Sequence, residues 1–178
     1  EDILDIRVTK GVLYIGVKKD RKRDYEKSSE KDKLSLVLTM NEVQNLVVNG
    51  SGDIYSNDNI STDNLTVEVN GSGDVELKKM VPNQLEVNVN GSGDVSLYGN
   101  GNLSKGMINI NGSGDVCVKS MDIVTLAVNI NGSGDASVAC DGELSVNILG
   151  SGDVCYSGNA KVKTKRLGSG EVVNCGNN

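Results

Sequence analysis

A four-residue motif, Gly-Ser-Gly-Asp, recurs along this chain and constrains its fold more than any other feature. Six copies begin at Gly50, Gly71, Gly91, Gly112, Gly132 and Gly150, and a seventh, Gly168–Glu171, ends in Glu instead of Asp. Successive copies lie 21, 20, 21, 20, 18 and 18 residues apart. A repeat of about this length is typical of proteins built from stacked coils.

Apolar residues occupy every second position on both sides of each motif. Leu85, Val87 and Val89 precede the third copy, and Val95 and Leu97 follow it. A period of two is that of a β-strand, and one copy alone cannot bury its apolar side. Because equivalent segments recur in the same orientation, we predict an all-β fold, a parallel right-handed β-helix or solenoid. It would have about seven coils of 18–21 residues, and we favour it over a sandwich or barrel.

The two glycines of each motif share the parity of the apolar residues. They are expected to form a structural corner, where a Cβ would collide with a neighbouring coil or the opposite wall. Gly93→Val is therefore expected to be far more destabilising than Ser96→Val. The predicted corner residues are Gly50, Gly52, Gly71, Gly73, Gly91, Gly93, Gly112, Gly114, Gly132, Gly134, Gly150 and Gly152.

Composition excludes several classes of function. The formal net charge is −6, which argues against a nucleic-acid partner. The chain has no His, so triads with His, His-ligated zinc and the commonest general base are excluded. No apolar run approaches the roughly 20 residues of a transmembrane helix, and no signal segment is recognisable in the sequence. No cofactor is expected.

The two ends of the chain differ from the repeat. Residues 1–45 are expected to form a charged region with strands at 3–8, 12–17 and 34–38, and residues 46–178 carry the repeat coils. We expect residues 1–178 to form a single domain. The segment Lys18–Lys33 contains eight Lys/Arg and five Asp/Glu, which predicts a solvated loop or, alternatively, a contact to an anionic glycan or lipid.

Near the C terminus the apolar pattern degrades. Thr164 and Arg166 stand at positions that are apolar in the earlier coils. The last coil is therefore expected to be open to water or to a partner, including a second copy of this chain.

The closing stretch from Gly150 to Val172 reads GSGDVCYSGNAKVKTKRLGSGEV. Together with the tandem V-x-V-x-G-S-G-D-V segments and the charged strand pair before them, it resembles the family called putative auto-transporter adhesin head, GIN domain. The resemblance implies a β-helical domain exported to the periplasm, cell surface or exterior of Bacteroidetes-like bacteria. It implies no established ligand and no catalytic residues.

The aspartate of each motif is predicted to form an outward ladder with a spacing of about 4.8 Å. Each carboxylate can accept hydrogen bonds from the preceding Ser and from corner N–H groups, or the ladder can bind calcium. The corner role is favoured, because calcium-binding β-rolls repeat every nine residues. The candidate calcium ladder consists of Asp53, Asp74, Asp94, Asp115, Asp135 and Asp153.

Two series of Asn residues share the outward side. Stacked amides favour in-register pairing, which we prefer to sugar binding, because Tyr55 is almost the only aromatic residue expected on this side. The two series are Asn49, Asn70, Asn90, Asn111 and Asn131, and Asn88, Asn109, Asn129 and Asn147.

The four cysteines, Cys117, Cys140, Cys155 and Cys175, match no zinc spacing. Cys117 and Cys155 share a register two coils apart, too far for a disulfide. All four are expected to be free thiols, the alternative being a bridge that involves Cys175.

These features favour a non-enzymatic, exported adhesin-like or cell-envelope module, with a surface glycan or a host matrix protein as candidate partner. One alternative is a polysaccharide-active β-helix enzyme, which would need one coil that breaks the pattern to carry its site. The other is a structural module that oligomerises through the open C-terminal coil.

Overall fold

A computed structural model describes residues 4–18, 20 and 34–176, in which the regular elements are thirteen β-strands. The chain divides into two compact units, Glu1–Thr39 and Met40–Asn178.

The first unit contains an antiparallel hairpin of β1 (Leu4–Thr9) and β2 (Val12–Val17). Two of the three strands expected in this region are therefore present. The third, expected at 34–38, is wrong, because these residues pair with no described strand. Alternating apolar residues report which side chains could share a face, whereas a strand also needs a partner for its backbone groups. The predicted loop Lys18–Lys33 lies outside the described residues except at positions 18 and 20.

The second unit is a parallel β-solenoid of about six turns, as the repeat predicts. The intervals between seven successive motifs make six complete turns, so the structure has one turn fewer than the expected number of coils. Its strands are β3 (Asn45–Gly50), β4 (Ile54–Gly71), β5 (Val75–Gly91), β6 (Val95–Gly99), β7 (Asn102–Gly112), β8 (Val116–Lys119), β9 (Asp122–Gly132), β10 (Ala136–Gly150), β11 (Val154–Ser157), β12 (Lys161–Gly168) and β13 (Val172–Asn174).

Two ladders of parallel strands build the solenoid. The pre-motif ladder joins β3, the second half of β4 and of β5, β7, β9, the second half of β10, and β12. The post-motif ladder joins the first half of β4 and of β5, β6, β8, the first half of β10, β11 and β13. The first glycine of each motif lies opposite the first glycine of the next, so the predicted in-register parallel stacking is confirmed.

The core is a continuous column of aliphatic side chains between the ladders. In the third copy Leu85, Val87 and Val89 before the motif, and Val95 and Leu97 after it, are at most 4% exposed. The same alternate positions are buried in the turns on either side. Because each rung is covered by the next, a turn gains its hydrophobic stabilisation from its neighbours and not from itself.

Two of the four cysteines form a disulfide, so the expectation of four free thiols was wrong for this pair. Cys155 in β11 is bonded to Cys175, with 5.7 Å between their Cα atoms. Val173 lies opposite Cys155 in the next turn, and Cys175 is two residues further along the same side. The bridge therefore runs diagonally between adjacent turns. Cys117 and Cys140 are free.

Candidate functional site

The Gly-Ser-Gly-Asp corners stack directly on one another through backbone contacts. The carbonyl oxygen of Gly71 accepts the N–H groups of Ser92 and Gly93, at 2.9 and 3.2 Å. A Cβ on Gly93 would overlap the carbonyl oxygen of Gly73 and lie 2.9 Å from Val69 Cγ1. The same close approach recurs at the corresponding glycine of every later corner.

The first corner differs because, among the described residues, no turn of the solenoid precedes it. A Cβ on Gly50 or Gly52 would meet no atom within 4 Å. Gly50 nevertheless has a φ of +117°, like the equivalent glycines of the later turns. At the first corner, therefore, glycine is needed for its backbone conformation but not because a Cβ would clash with a neighbouring turn.

The motif aspartates link consecutive turns. Asp94 Oδ1 accepts the backbone N–H of Asp115 at 2.8 Å, and Asp94 N–H donates to Asp74 Oδ1 at 2.8 Å. The chain of bonds runs from Asp53 to Glu171 with distances of 2.7–3.0 Å. Of the two kinds of donor that the sequence suggested, the structure has the corner N–H groups, supplied by the following turn, and not the hydroxyl of the preceding Ser. All six carboxylates are exposed, so water weakens their mutual repulsion.

The described residues contain no group of three or more His, Cys, Asp or Glu side chains arranged to hold a metal ion. In the aspartate column, each carboxylate already engages one oxygen with a backbone N–H. The geometry accounts for these aspartates as turn-to-turn connectors.

The two Asn series form amide ladders along the pre-motif side. Asn109 donates to Asn88 Oδ1 and accepts from Asn129 Nδ2, both at 2.8 Å. The ladder ends with Asn147, which donates to Asn129. The second ladder links Asn49, Asn70, Asn90 and Asn111 at 2.9–3.0 Å. Because each amide bonds to the next, the side of the solenoid is held in a fixed polar arrangement.

The second amide ladder stops after Asn111. Among the described residues Asn131 has no side-chain hydrogen bond, and Leu149 stands opposite it in the next turn. Leu149 and its neighbour Leu167 in the last turn are both exposed.

An aromatic and charged cluster lies on the post-motif side of the first turns. Lys78 Nζ donates to the hydroxyl of Tyr55 at 3.1 Å, lies 5.0 Å from the centre of its ring, and is 3.3 Å from Glu76 Oε1. Hydrogen bonds to Tyr55 and Glu76 raise the pKa of Lys78. The Tyr55 side chain is half exposed, so the sequence placed the aromatic residue correctly on an outward face.

The last turn replaces core residues with polar ones. Thr164 and Arg166 lie opposite the buried Val146 and Ile148 of the preceding turn. Arg166 Nη1 donates to the carbonyl oxygen of Gly170 at 3.1 Å. A guanidinium at the end of the core column makes this rung a poor base for a further apolar rung.

The free thiols are poorly reactive. Cys117 is half-buried and Cys140 is fully buried. Burial raises the pKa of both thiols, which lowers the fraction of the nucleophilic thiolate at neutral pH.

Two depressions in the described surface are wide open to solvent. One is bordered by Leu65, Leu85 and Met107, the other by Ile123 and Val124. Neither contains an aspartate of the column. In the part of the chain that the structure describes, no helix is long and apolar enough to span a bilayer.

Sequence reasoning located the glycine, aspartate and asparagine columns and the polar Thr164 and Arg166 of the last turn, but it missed two contacts in that turn. It did not identify the Cys155–Cys175 pairing or the bond from Arg166 to Gly170. Aligning the seven motifs places Cys175 one turn after Cys155 and two positions further on. That offset is the signal that could have found the disulfide.

Comparisons with known proteins agree with this geometry. The model of the family described as "Putative auto-transporter adhesin, head GIN domain" matches residues 1–160. A putative adhesin from Bacteroides fragilis has a similar structure, with a TM-score of 0.78 and 20% identity, over 96% of this chain and 75% of that chain. A putative adhesin from Parabacteroides distasonis has a TM-score of 0.70 and 20% identity, over 96% and 77%. At this identity the structures show a shared fold. No curated protein is significantly similar to the chain.

Proposed function

Because the chain belongs to the family of putative auto-transporter adhesin head, GIN domains, we propose that it is an exported, non-enzymatic adhesin-like module of the bacterial envelope. Its partner is a surface glycan or a host matrix protein. The proposal extends to this chain the adhesive role that the family description carries.

The observation that supports this function best is the continuous bonding of outward side chains from turn to turn. The aspartate column and the two amide ladders are each held by hydrogen bonds of 3.0 Å or less. A side chain fixed in this way loses little conformational freedom when a partner binds. Broad, preorganised polar faces are suited to binding an extended partner, and the open depressions are not suited to enclosing a small substrate.

A binding panel tests this function. The purified chain is applied to immobilised glycans and host matrix proteins, beside an unrelated acidic β-protein of similar size as control. We expect saturable binding to at least one surface that the control does not bind. The absence of saturable binding to every member of the panel would contradict the adhesin role.

An assay with uronate-containing polysaccharides tests the enzymatic alternative. No new reducing ends and no new unsaturated products are expected after long incubation, because the six motif aspartates hold equivalent positions in successive turns, which sets no pair of them apart as acid and base. Polysaccharide cleavage by the purified chain would replace the non-enzymatic proposal.

Protease treatment of intact cells, followed by immunodetection of the protein, tests exposure at the cell surface.

A further inference from the structure

In the last turn the repeat changes on its outward side. In β10 the outward positions carry Glu143, Ser145 and Asn147, and the residues opposite them in β12 are all lysines. A uniform stack presents the same surface many times, so a distinct contact is best encoded where one turn departs from the others. β12 is such a departure.

The three lysines form a row of positive charge. Lys161, Lys163 and Lys165 alternate along β12, so they lie on one side of the strand, about 6.6 Å apart from one to the next. All three are exposed. Arg166 is a fourth cation of the same strand, but it lies on the side of the core column and not in this row. Glu143 faces Lys161 from the neighbouring strand, which leaves this local surface cationic in a chain whose net charge is −6.

The row of lysines lies at a rim of the solenoid that is open to a ligand. β12 pairs with β10 along one edge, and no described strand pairs with its other edge. The disulfide from Cys155 to Cys175 and the hydrogen bond from Arg166 to Gly170 fix the last turn. Lysines on an edge strand also oppose pairing with another chain, so an experiment must separate ligand binding from that protective effect.

We propose that the cationic edge formed by Lys161, Lys163 and Lys165 binds an anionic polysaccharide, with its carboxylate or sulfate groups placed along β12. This inference rests on the adhesin function proposed above and specifies its ligand class. Charge complementarity selects a polyanion. β12 carries no aromatic residue on which bases could stack. The exposed Leu149 and Leu167 form too small an apolar surface for a membrane-binding face.

Two matched triple variants test the site. The site variant is Lys161→Gln, Lys163→Gln and Lys165→Gln. The control variant is Lys79→Gln, Lys105→Gln and Lys119→Gln, which removes the same charge from three exposed lysines on other strands. Binding to heparin and to polygalacturonate is measured at low and high salt, with neutral dextran as a negative probe.

We expect the wild-type chain to bind one or both polyanions, with an affinity that falls as salt rises. The site variant should bind about tenfold more weakly or worse, since three charge-assisted contacts are lost, and the control less than about threefold more weakly. A Lys→Arg triple at the site should retain binding. In wild-type protein, heparin should slow hydrogen exchange of the β12 amides and leave β4 and β5 unchanged, a result that does not depend on any variant folding.

Several results would overturn the inference. Equal losses in the two Gln variants would mean that net charge alone governs binding. Absence of protection in β12, or tighter binding to duplex DNA or to phosphatidylglycerol vesicles than to either polysaccharide, would reject the site or its ligand class. If the chain binds another member of the panel but neither polyanion, this inference fails and the adhesin function stands. If nothing on the panel is bound, the adhesin function itself fails.

Discussion

The two glycines of each motif meet different physical demands. The first, such as Gly91 with a φ of +142°, adopts a conformation that side chains with a Cβ rarely reach, and a Cβ there would also overlap the carbonyl oxygen of Gly71. The second, such as Gly93, has an ordinary φ but lies where the previous turn leaves no room for a methyl group. A replacement at the first position of a later corner would therefore meet both obstacles, whereas a replacement at the second would meet only the steric one.

Comparing Gly93→Val with Gly52→Val isolates the steric demand. Both glycines hold the same place in the motif, but only Gly93 has a turn packed against it. We expect Gly93→Val to lower the free energy of unfolding by about 3 kcal/mol, and Gly52→Val to change it by less than about 0.5 kcal/mol. Chemical denaturation measures both. If both variants were destabilised equally, a clash with the carbonyl oxygen of the preceding turn would not be the cause.

The amide ladder permits a similar comparison between Asn109 and Asn131. Asn109→Ala removes one donated and one accepted bond, so we expect the free energy of unfolding to fall by about 1–2 kcal/mol. Asn131→Ala removes no described side-chain hydrogen bond and should have an effect within about 0.5 kcal/mol. Thermal melts and denaturant titrations measure both variants. If both cost the same, the ladder contributes nothing beyond strand propensity.

At the scale of single elements, the last turn is stabilised differently from the others. β12 and β13 have a neighbouring turn on one side, whereas an inner turn is covered on both sides. In a stacked repeat, the stability of a turn is set largely by contacts with its nearest neighbours. The Cys155–Cys175 bridge supplies a covalent link where the packing is reduced.

Removing the bridge should loosen the end of the solenoid and little else. We expect Cys155→Ser with Cys175→Ser to lower the local stability of residues 158–176 by about 3 kcal/mol, the value for closing a loop of this length. Hydrogen exchange should accelerate in β12 and β13 and stay unchanged in β4 to β7. Cys117→Ser, which removes a free thiol, is the matched control. Faster exchange throughout the molecule would contradict nearest-neighbour behaviour.

Arg166 and Thr164 determine how the core column ends. Arg166→Ile with Thr164→Val restores the apolar pattern of Val146 and Ile148 on an exposed rung. We expect this variant to form species of higher mass than the wild type as concentration rises, because apolar surface and an open strand edge are then presented together. Light scattering over a concentration series measures the effect. A mass identical to that of the wild type at all concentrations would argue that Lys161, Lys163 and Lys165 alone prevent association.

For the molecule as a whole, the aspartate column predicts how stability responds to metal ions. The carboxylate of Asp94 accepts a backbone N–H of the next turn, and the same arrangement recurs along the column. We therefore expect the melting temperature in excess calcium and in excess chelator to agree within about 1 °C. A rise of several degrees with calcium would show that the column binds the ion. Magnesium serves as the control for ionic strength.

The fold of the repeat region could be predicted from sequence because every turn repeats the same information. The alternation of apolar residues, the spacing of the motifs and the shared parity of Gly91 and Gly93 all specify parallel stacking. Because every copy carries this pattern, a deviation in one copy does not hide it. Features present in one turn lack that support. The Cys155–Cys175 bond depends on a diagonal offset, and the Arg166 contact depends on the conformation of a single side chain. The expected strand at 34–38 failed because its pattern contains no information about a pairing partner.

Each corner of the solenoid stacks on the next in the same way, and this equivalence determines how the number of turns can change. The segment from Gly71 to Asn90 spans one full turn, and each of its ends meets a surface equivalent to the one that it presents. An internal duplication of this segment would add a rung, and a deletion would remove one, without a new junction having to evolve. The length of the solenoid is therefore a quantity that recombination between neighbouring repeats can change one turn at a time, while the last described turn is carried along intact.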